Sequence, residues 1–389
     1  MRVFFAVVVS TVLIPAMLTG CQTAALYPTP QWQLAQNTLP ESIPGVVKKM
    51  HFSPDGSRIV MMGLKTVSLL DAGSFETATS FPINARNKSL GHYLDNGAFA
   101  FDNMPTPELL LPDLTRRPLP ASTYSIADDG SVVFRSQHNA DKTDKFEDTR
   151  TGRIACDFGY ENDMPHVAFT QRYATVGMRG RFALCDLAED KLTYLSDGEN
   201  MNSGRGWMDR QGQWLLMVKI RPSFFYVDGN TSTALYPLPL VVKQIETDTT
   251  QPSNIQNLAV KEWHWHAFTG ADFSPDGRWL VLTTRGKVHV MRLDALDDPI
   301  VLNVDLYMST VLFSRDSRWL ALQGEKEIYL ADLTTTPRFS KLVPPTPWER
   351  FTLHDIAPDG SAFLANVSPT RTSGEQPVIW HIAPVGKVK

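Results

Sequence analysis

The chain of 389 residues is poor in cysteine, in helical periodicity and in net charge. Of its three cysteines, Cys21 belongs to the N-terminal segment, and Cys156 and Cys185 follow much later. Apolar residues at helical spacing are nearly absent after residue 30, which favours an all-β fold. The formal net charge of −4 argues against general nucleic-acid binding. After the N-terminal segment, no apolar run is long enough to cross a membrane.

The chain also lacks the short motifs of common enzymes. It contains no serine-nucleophile elbow, no His-Glu metal motif and no glycosidase signature. Its aspartates are scattered, so no two of them can be paired for acid–base work from the sequence. His264 and His266 alternate along the chain, but no third metal ligand is adjacent. We therefore expect a binding protein rather than an enzyme, with no catalytic residue, no metal site and no cofactor assigned.

What the sequence does contain is a repeated hairpin. The stretches "HFSPDGSRIV" (His51–Val60) and "ADFSPDGRWLV" (Ala271–Val281) are nearly the same. In each turn the proline pre-sets φ, the aspartate suits the third position, and the glycine accepts the left-handed conformation. Apolar residues flank the turn on both sides, so each stretch predicts a strand, a tight turn and a second strand.

Weaker copies of this hairpin recur along the whole chain. The turns fall near residues 56, 97, 130, 172, 212, 277, 317 and 360, so the steps are 41, 33, 42, 40, 65, 40 and 43 residues. A period near 40 is typical of a four-stranded propeller blade, and a β-sandwich or several small β domains would not explain it. We predict an all-β propeller of four-stranded blades. Eight blades are favoured, and seven is the alternative if the unit at Tyr93 or at Val167 is not a blade.

The ends of the chain predict how the ring closes. The eighth unit supplies three strands and then stops, whereas "QWQLAQ" (Gln31–Gln36) precedes the first unit as a spare strand. Pairing this strand with the last unit would remove the exposed sheet edges.

The "FSPDG" repeat resembles the WD-repeat-like propeller repeats of TolB-type periplasmic proteins. Two units match closely, and the resemblance covers residues ~45–383. It implies a fold and names no function, because propellers carry many functions.

The N-terminus resembles a bacterial lipoprotein signal. Arg2 is followed by a short apolar stretch and then by "LTGC" (Leu18–Cys21), which resembles a lipobox. The resemblance implies removal of residues 1–20 and acylation of Cys21, and Gln22 after the cysteine resembles an outer-membrane address. We therefore expect residues 21–30 to tether a propeller of residues 31–389 to the membrane, facing the periplasm. That compartment permits a disulfide between Cys156 and Cys185, although two buried free thiols are the expectation we favour.

One end of the ring is predicted to be basic. Loops between the second and third strands share an end with the connections between blades. In units four to six these loops supply six bases and no acid, which we call the basic arc: Arg179, Arg181, Lys219, Arg221, Arg285 and Lys287. The opposite end carries aspartate-rich turns, where aspartate is an ordinary turn residue. A solvated rim is the alternative to a docking surface for an acidic partner.

The 65-residue step predicts a long insertion at about residues 241–267. We expect it to connect units five and six and to rise from the end that carries the basic arc. It finishes in "KEWHWHA" (Lys261–Ala267), where Trp263 and Trp265 share one face of an extended chain. The pair is predicted either to anchor a protein partner or to be buried under the loop.

These features favour an outer-membrane-anchored scaffold that binds a protein or an envelope anion, with no nucleic-acid partner. Alternatives are a toxin-immunity lipoprotein, a hydrolase or lyase acting on envelope glycans or esters at the channel mouth, and a small-ligand sensor that uses the central channel.

If Cys21 is the lipid anchor, Cys21→Ser leaves the protein unprocessed or soluble, because the acyl chains supply its membrane affinity. Fractionation and palmitate labelling of cells check this. Labelling of the Cys21→Ser protein would contradict the lipobox interpretation.

Overall fold

The fold comes from a computed structural model of the whole chain. It describes residues 26, 32–39, 47–85, 90–103, 106–136, 144–158, 166–178, 181–195, 205–220, 230–247, 258–266, 268–304, 306–345, 350–368, 370 and 374–385. The signal segment, including Cys21, lies outside these residues.

Eight four-stranded antiparallel sheets make up the described chain, so the prediction of eight blades is confirmed. The first strands of blades one to eight are β2 (Val47–Phe52), β6 (His92–Tyr93), β10 (Thr123–Ile126), β14 (His166–Phe169), β18 (Arg205–Met208), β22 (Phe268–Phe273), β26 (Leu306–Phe313) and β30 (Arg350–Ile356). The second strands are β3 (Arg58–Gly63), β7 (Phe99–Phe101), β11 (Val132–Arg135), β15 (Tyr173–Met178), β19 (Trp214–Ile220), β23 (Trp279–Thr284), β27 (Trp319–Gly324) and β31 (Ala362–Ser368).

The third strands are β4 (Thr66–Asp71), β8 (Glu108–Leu110), β12 (Lys145–Asp148), β16 (Arg181–Asp186), β20 (Asn230–Pro237), β24 (Lys287–Arg292), β28 (Ile328–Asp332) and β32 (Gln376–Pro384). The outer strands are β5 (Thr77–Pro82), β9 (Arg116–Pro118), β13 (Ile154–Asp157), β17 (Lys191–Tyr194), β21 (Lys261–His266), β25 (Ile300–Leu302), β29 (Phe339–Leu342) and, for blade eight, β1 (Trp32–Thr38).

The order of the strands gives the ring two ends. The turns between first and second strands, and those between third and fourth strands, lie at what we call the turn end. The loops between second and third strands, and the connections between blades, lie at the loop end. The repeated motif forms the turns as predicted: Gly56 N–H donates to Ser53 O at 2.8 Å, and Gly56 has a φ of 73°. Glycine is favoured there because this φ crowds a side chain.

Apolar packing between neighbouring blades forms the core. Eight hydrophobic clusters occur among the described residues, and each joins two adjacent blades. The cluster between blades seven and eight includes Trp319, Phe363 and Trp380. Every residue of β23, β27 and β31 is buried, so the middle of a blade is covered on both faces.

The N-terminal strand closes the ring, as predicted. Strand β1 pairs antiparallel with β32, with Trp32 opposite Pro384 and Thr38 opposite Val378. Leu34 joins the cluster between blades seven and eight, and the rings of Trp32 and Trp319 meet edge to face at 5.5 Å. The first and last parts of the chain therefore complete a single blade.

Blade five corrects the prediction for the long insertion. The insertion is not a connection between blades: it spans residues 238–260, between the third strand β20 and the outer strand β21. Residues 233–237 belong to the third strand β20, and "KEWHWH" is the fourth strand. The insertion therefore rises from the turn end, opposite the end that was predicted. It begins with helix α1 (Leu238–Thr247), which Leu238 and Val241 attach to the core.

A disulfide joins blades three and four. Cys156 lies on the outer strand of blade three and Cys185 on the third strand of blade four, and the two are bonded, with Cα atoms 6.0 Å apart. The expectation of free thiols was wrong because it rested on composition, whereas the packing of the two sheets decides the distance between the sulfur atoms. Both residues are buried within the cluster between the two blades.

Reduction of this bond should lower the melting temperature by a few degrees. The bond closes a loop with a sequence separation of 29 residues. A bond across a loop of this size lowers the conformational entropy of the unfolded chain, which raises the free energy of unfolding by roughly 3 kcal/mol. Calorimetry with and without reductant measures the effect. The Cys156→Ser/Cys185→Ser protein is the control, since reductant should not change its melting temperature. An equal response of both proteins would contradict the assignment.

Candidate functional site

The topology places four members of the basic arc, those within the described residues, at the loop end. Arg181 begins β16 and Lys219 lies near the end of β19, so both belong to the loop end. Arg285 and Lys287 flank the turn between β23 and β24 at the same end. Arg179 and Arg221 lie outside the described residues.

Arg285 and Lys287 are exposed and lack ion-pair partners within the described part of the chain. Arginines at the turn end differ, since most of them pair with a nearby carboxylate: Arg172 with Asp186, Arg278 with Asp276, Arg292 with Asp294, and Arg318 with Asp332. Most arginines of the turn end are thus held in ion pairs, whereas Arg285 and Lys287 are available to another molecule.

The tryptophan pair does not rise on a loop. Trp263 and Trp265 lie on β21, both rings are half-buried, and they contact the cluster between blades five and six. Trp265 Nε1 donates to Thr233 Oγ1 at 2.8 Å, and its ring meets His289 edge to face at 4.7 Å. These contacts favour burial over the predicted role as a partner anchor. The pair was expected on a loop because the insertion was misassigned. As part of an outer strand, the pair packs its apolar face on the next blade.

A second candidate site lies inside the ring, and the sequence reading missed it. In each blade we take the first-strand residue that lies two positions before the first residue of the turn. These residues, which we call the channel layer, are His51, His92, Ser125, Ala168, Trp207, Asp272, Leu312 and Asp355. Six of them line one cavity of about 430 Å³ that is shared by blades two to seven. The other two contact each other, with His51 Nδ1 3.4 Å from Asp355 Oδ2.

The sequence did contain a signal for this layer. In the best copies of the repeat the residue is the one before the phenylalanine of "FSPDG", which is His51 in blade one and Asp272 in blade six. Its side-chain type changes from blade to blade while the turn stays constant. A position that varies while the rest of the repeat stays constant lets each blade present a different side chain to the channel.

Ion pairs span the channel at the turn end. Arg210 from blade five reaches Asp128 of blade three at 2.9 Å and Asp95 of blade two at 3.5 Å. Arg315 from blade seven reaches the same Asp95 at 2.6 Å. We call these four residues the mouth network. It connects four blades across the axis, so it partly covers the cavity beneath.

Burial inside the ring shifts the pKa of two residues of the channel layer, His92 and Asp272. Loss of solvent lowers the pKa of His92 to about 4, so this histidine is neutral near pH 7. Loss of solvent also raises the pKa of Asp272 to about 7, against smaller opposing effects of a hydrogen bond from the Phe273 backbone and of Arg210. Asp272 lines the cavity and is half-buried. A carboxyl group that titrates near neutral pH marks a candidate functional group.

The described residues contain no group of three or more His, Cys, Asp or Glu side chains that could hold a metal ion. None of their helices has the length and apolar character needed to cross a membrane.

Comparison with known proteins supports the fold alone. No protein-family model matches the chain, and no curated protein matches its sequence. A solved structure of a eukaryotic initiation factor is similar, with a TM-score of 0.51 and 12% identity, over 88% of this chain and 87% of that chain. Hsv2 of Kluyveromyces lactis gives a TM-score of 0.48 at 10% identity, over 76% of this chain and 97% of that chain. A chain of the mitotic checkpoint complex gives 0.46 at 11% identity, over 98% of each chain. The protein is an eight-bladed β-propeller with a WD40-like fold.

The pKa of Asp272 gives a prediction for stability. Because the pKa rises from 3.8 to about 7 on folding, the folded protein loses stability as the pH rises from about 4 to above 7. Asp272→Asn removes this loss, so the variant should be more stable at pH 8 by at most about 4 kcal/mol and equally stable at pH 4. Denaturant melts across this range measure the difference. Asp298→Asn, at an exposed turn, is the control, and a difference that did not change with pH would contradict the assignment.

Proposed function

We propose that the protein is a lipid-anchored scaffold of the bacterial cell envelope that binds an acidic protein, or an envelope anion, through the basic arc. The observation that carries this proposal is the contrast between the two ends of the ring. Arg285 and Lys287 are exposed at the loop end and lack ion-pair partners within the described residues, whereas most arginines at the turn end are already paired. Unpaired bases that share one end steer an anionic partner and orient it on arrival.

The point where the chain enters the ring is compatible with a loop end that faces away from the membrane. Strand β1 starts at Trp32, opposite Pro384, at the turn end. Only ten residues separate Trp32 from Cys21, so the chain between them spans at most about 40 Å. An acylated Cys21 would therefore hold the turn end towards the membrane and leave the loop end facing the periplasm. Docking at the loop end would then be compatible with anchoring.

The disulfide supports an extracytoplasmic location. Bonds such as Cys156–Cys185 persist in oxidising compartments and are rare in reducing ones. A periplasmic address is consistent with this bond and with the lipobox resemblance at "LTGC".

Charge reversal at the loop end tests the proposal. In Arg285→Glu/Lys287→Glu, capture of the partner by crosslinking in membranes should fall about tenfold or more, and capture by the original protein should weaken with salt. The fold should survive, since exposed substitutions usually cost under ~0.5 kcal/mol each.

Arg117→Glu/Lys191→Glu is the matched control. It makes the same change of charge on exposed residues near the turn end, and it should leave capture unchanged. Equal loss in both variants would show that only the total charge matters. Turnover of glycans or esters without a stoichiometric partner would favour the hydrolase alternative instead.

A further inference from the structure

The cavity inside the ring has the features of a ligand site that is separate from the basic arc. It measures about 430 Å³, and residues of blades two to seven line it. Its wall mixes apolar and aromatic side chains, including Phe169, Trp207 and Phe313, with polar ones, and polar atoms contribute slightly more of the accessible wall than apolar atoms. Small-molecule sites combine an apolar surface for the body of the ligand with placed polar groups that fix its orientation.

Asp272 is the polar group without a committed partner. Among the described residues its carboxylate forms no ion pair, and its one assigned hydrogen bond comes from the backbone of Phe273. The nearest base, Arg210, is held by Asp128 and Asp95 in the mouth network. A carboxylate in an enclosed site that lacks a counterion is unfavourable in its charged form unless a cation joins it.

The charges around the cavity favour a cation over an anion. Its wall and mouth carry the carboxylates of Asp95, Asp128 and Asp272 against the guanidinium groups of Arg210 and Arg315. His92 is the other titratable group on the wall, and it is neutral near pH 7. Three acids against two bases leave one negative charge when Asp272 is ionised, and a single positive charge would balance it.

The position of Asp272 within the layer defines the rest of the ligand. Its neighbours in the channel layer are Trp207 of blade five and Leu312 of blade seven, and all three line the cavity. An aromatic face attracts a cation through its quadrupole and also packs well against apolar groups. The wall therefore suits a ligand that joins a positive group to an apolar body.

We propose that the channel cavity binds a small organic cation, with its ammonium group on Asp272 and its apolar body against Trp207 and the phenylalanines. Arg210 and Asp128 of the mouth network also line this cavity. The ion pairs of this network are partly exposed, with 43% of the Arg210 side chain accessible, and exposed ion pairs contribute little to stability. This site goes beyond the proposed docking function and does not depend on it.

Calorimetric titration with three probes of one shape tests the proposal. Benzylamine, benzyl alcohol and benzoate share a ring and differ in charge. At pH 7.5 benzylamine should bind at least about tenfold more tightly than benzyl alcohol, and benzoate should not bind, as expected for one enclosed charge pair. Absence of benzylamine binding at millimolar concentration, or equal binding of all three probes, would overturn the proposal.

Variants locate the site. Asp272→Asn should reduce the benzylamine affinity to that of benzyl alcohol, whereas Asp298→Asn should leave it unchanged. Lowering the pH from 7.5 to 6 should weaken benzylamine binding about eightfold in the original protein, because protonation of a carboxyl with a pKa of about 7 removes the charge. The Asn variant should lack this pH dependence. An unchanged affinity in Asp272→Asn would place the probe elsewhere and overturn the proposal.

Discussion

The structure depends on one constraint, which is that the middle strands of every blade are apolar on both faces. Strands such as β27 and β31 are buried at every residue, so each sheet needs an apolar neighbour on both sides. An open stack would leave two faces in water, whereas a closed ring leaves none. This is why the N-terminal strand completes the last blade, and why the clusters of the core lie between blades.

Closure of the ring also brings charged side chains from distant parts of the sequence together around the channel. Because eight first strands surround one axis, residues far apart in the sequence meet there. Asp95 and Arg315, which are 220 residues apart, form an ion pair at 2.6 Å. The same geometry isolates Asp272 from the counterions that surface aspartates find, and so raises its pKa to about 7. The two ends then differ in their charges, with ion pairs at the turn end and, at the loop end, exposed Arg285 and Lys287 that pair with no described residue.

Particular elements separate what could be predicted from what could not. The "SPDG" turns form as expected because proline, aspartate and glycine act on the local backbone, whatever surrounds them. The long insertion was misassigned because "KEWHWH" fits the end of a connection between blades as well as an outer strand, and only its pairing with β20 distinguishes the two. That error moved the insertion to the wrong end of the ring and placed Trp263 and Trp265 on a loop, whereas they lie half-buried on β21.

The sequence by itself determined the repeat, the number of blades and the closing strand. These follow from local turn chemistry and from the spacing of the repeated turns, and both can be read directly from the order of the residues. The tertiary structure alone decided that the two cysteines bond, that Asp272 faces a cavity, and that Arg210 and Arg315 meet Asp95 across the axis. Each of these depends on distances between separate blades, and such distances are set by how whole sheets pack rather than by any neighbouring residue.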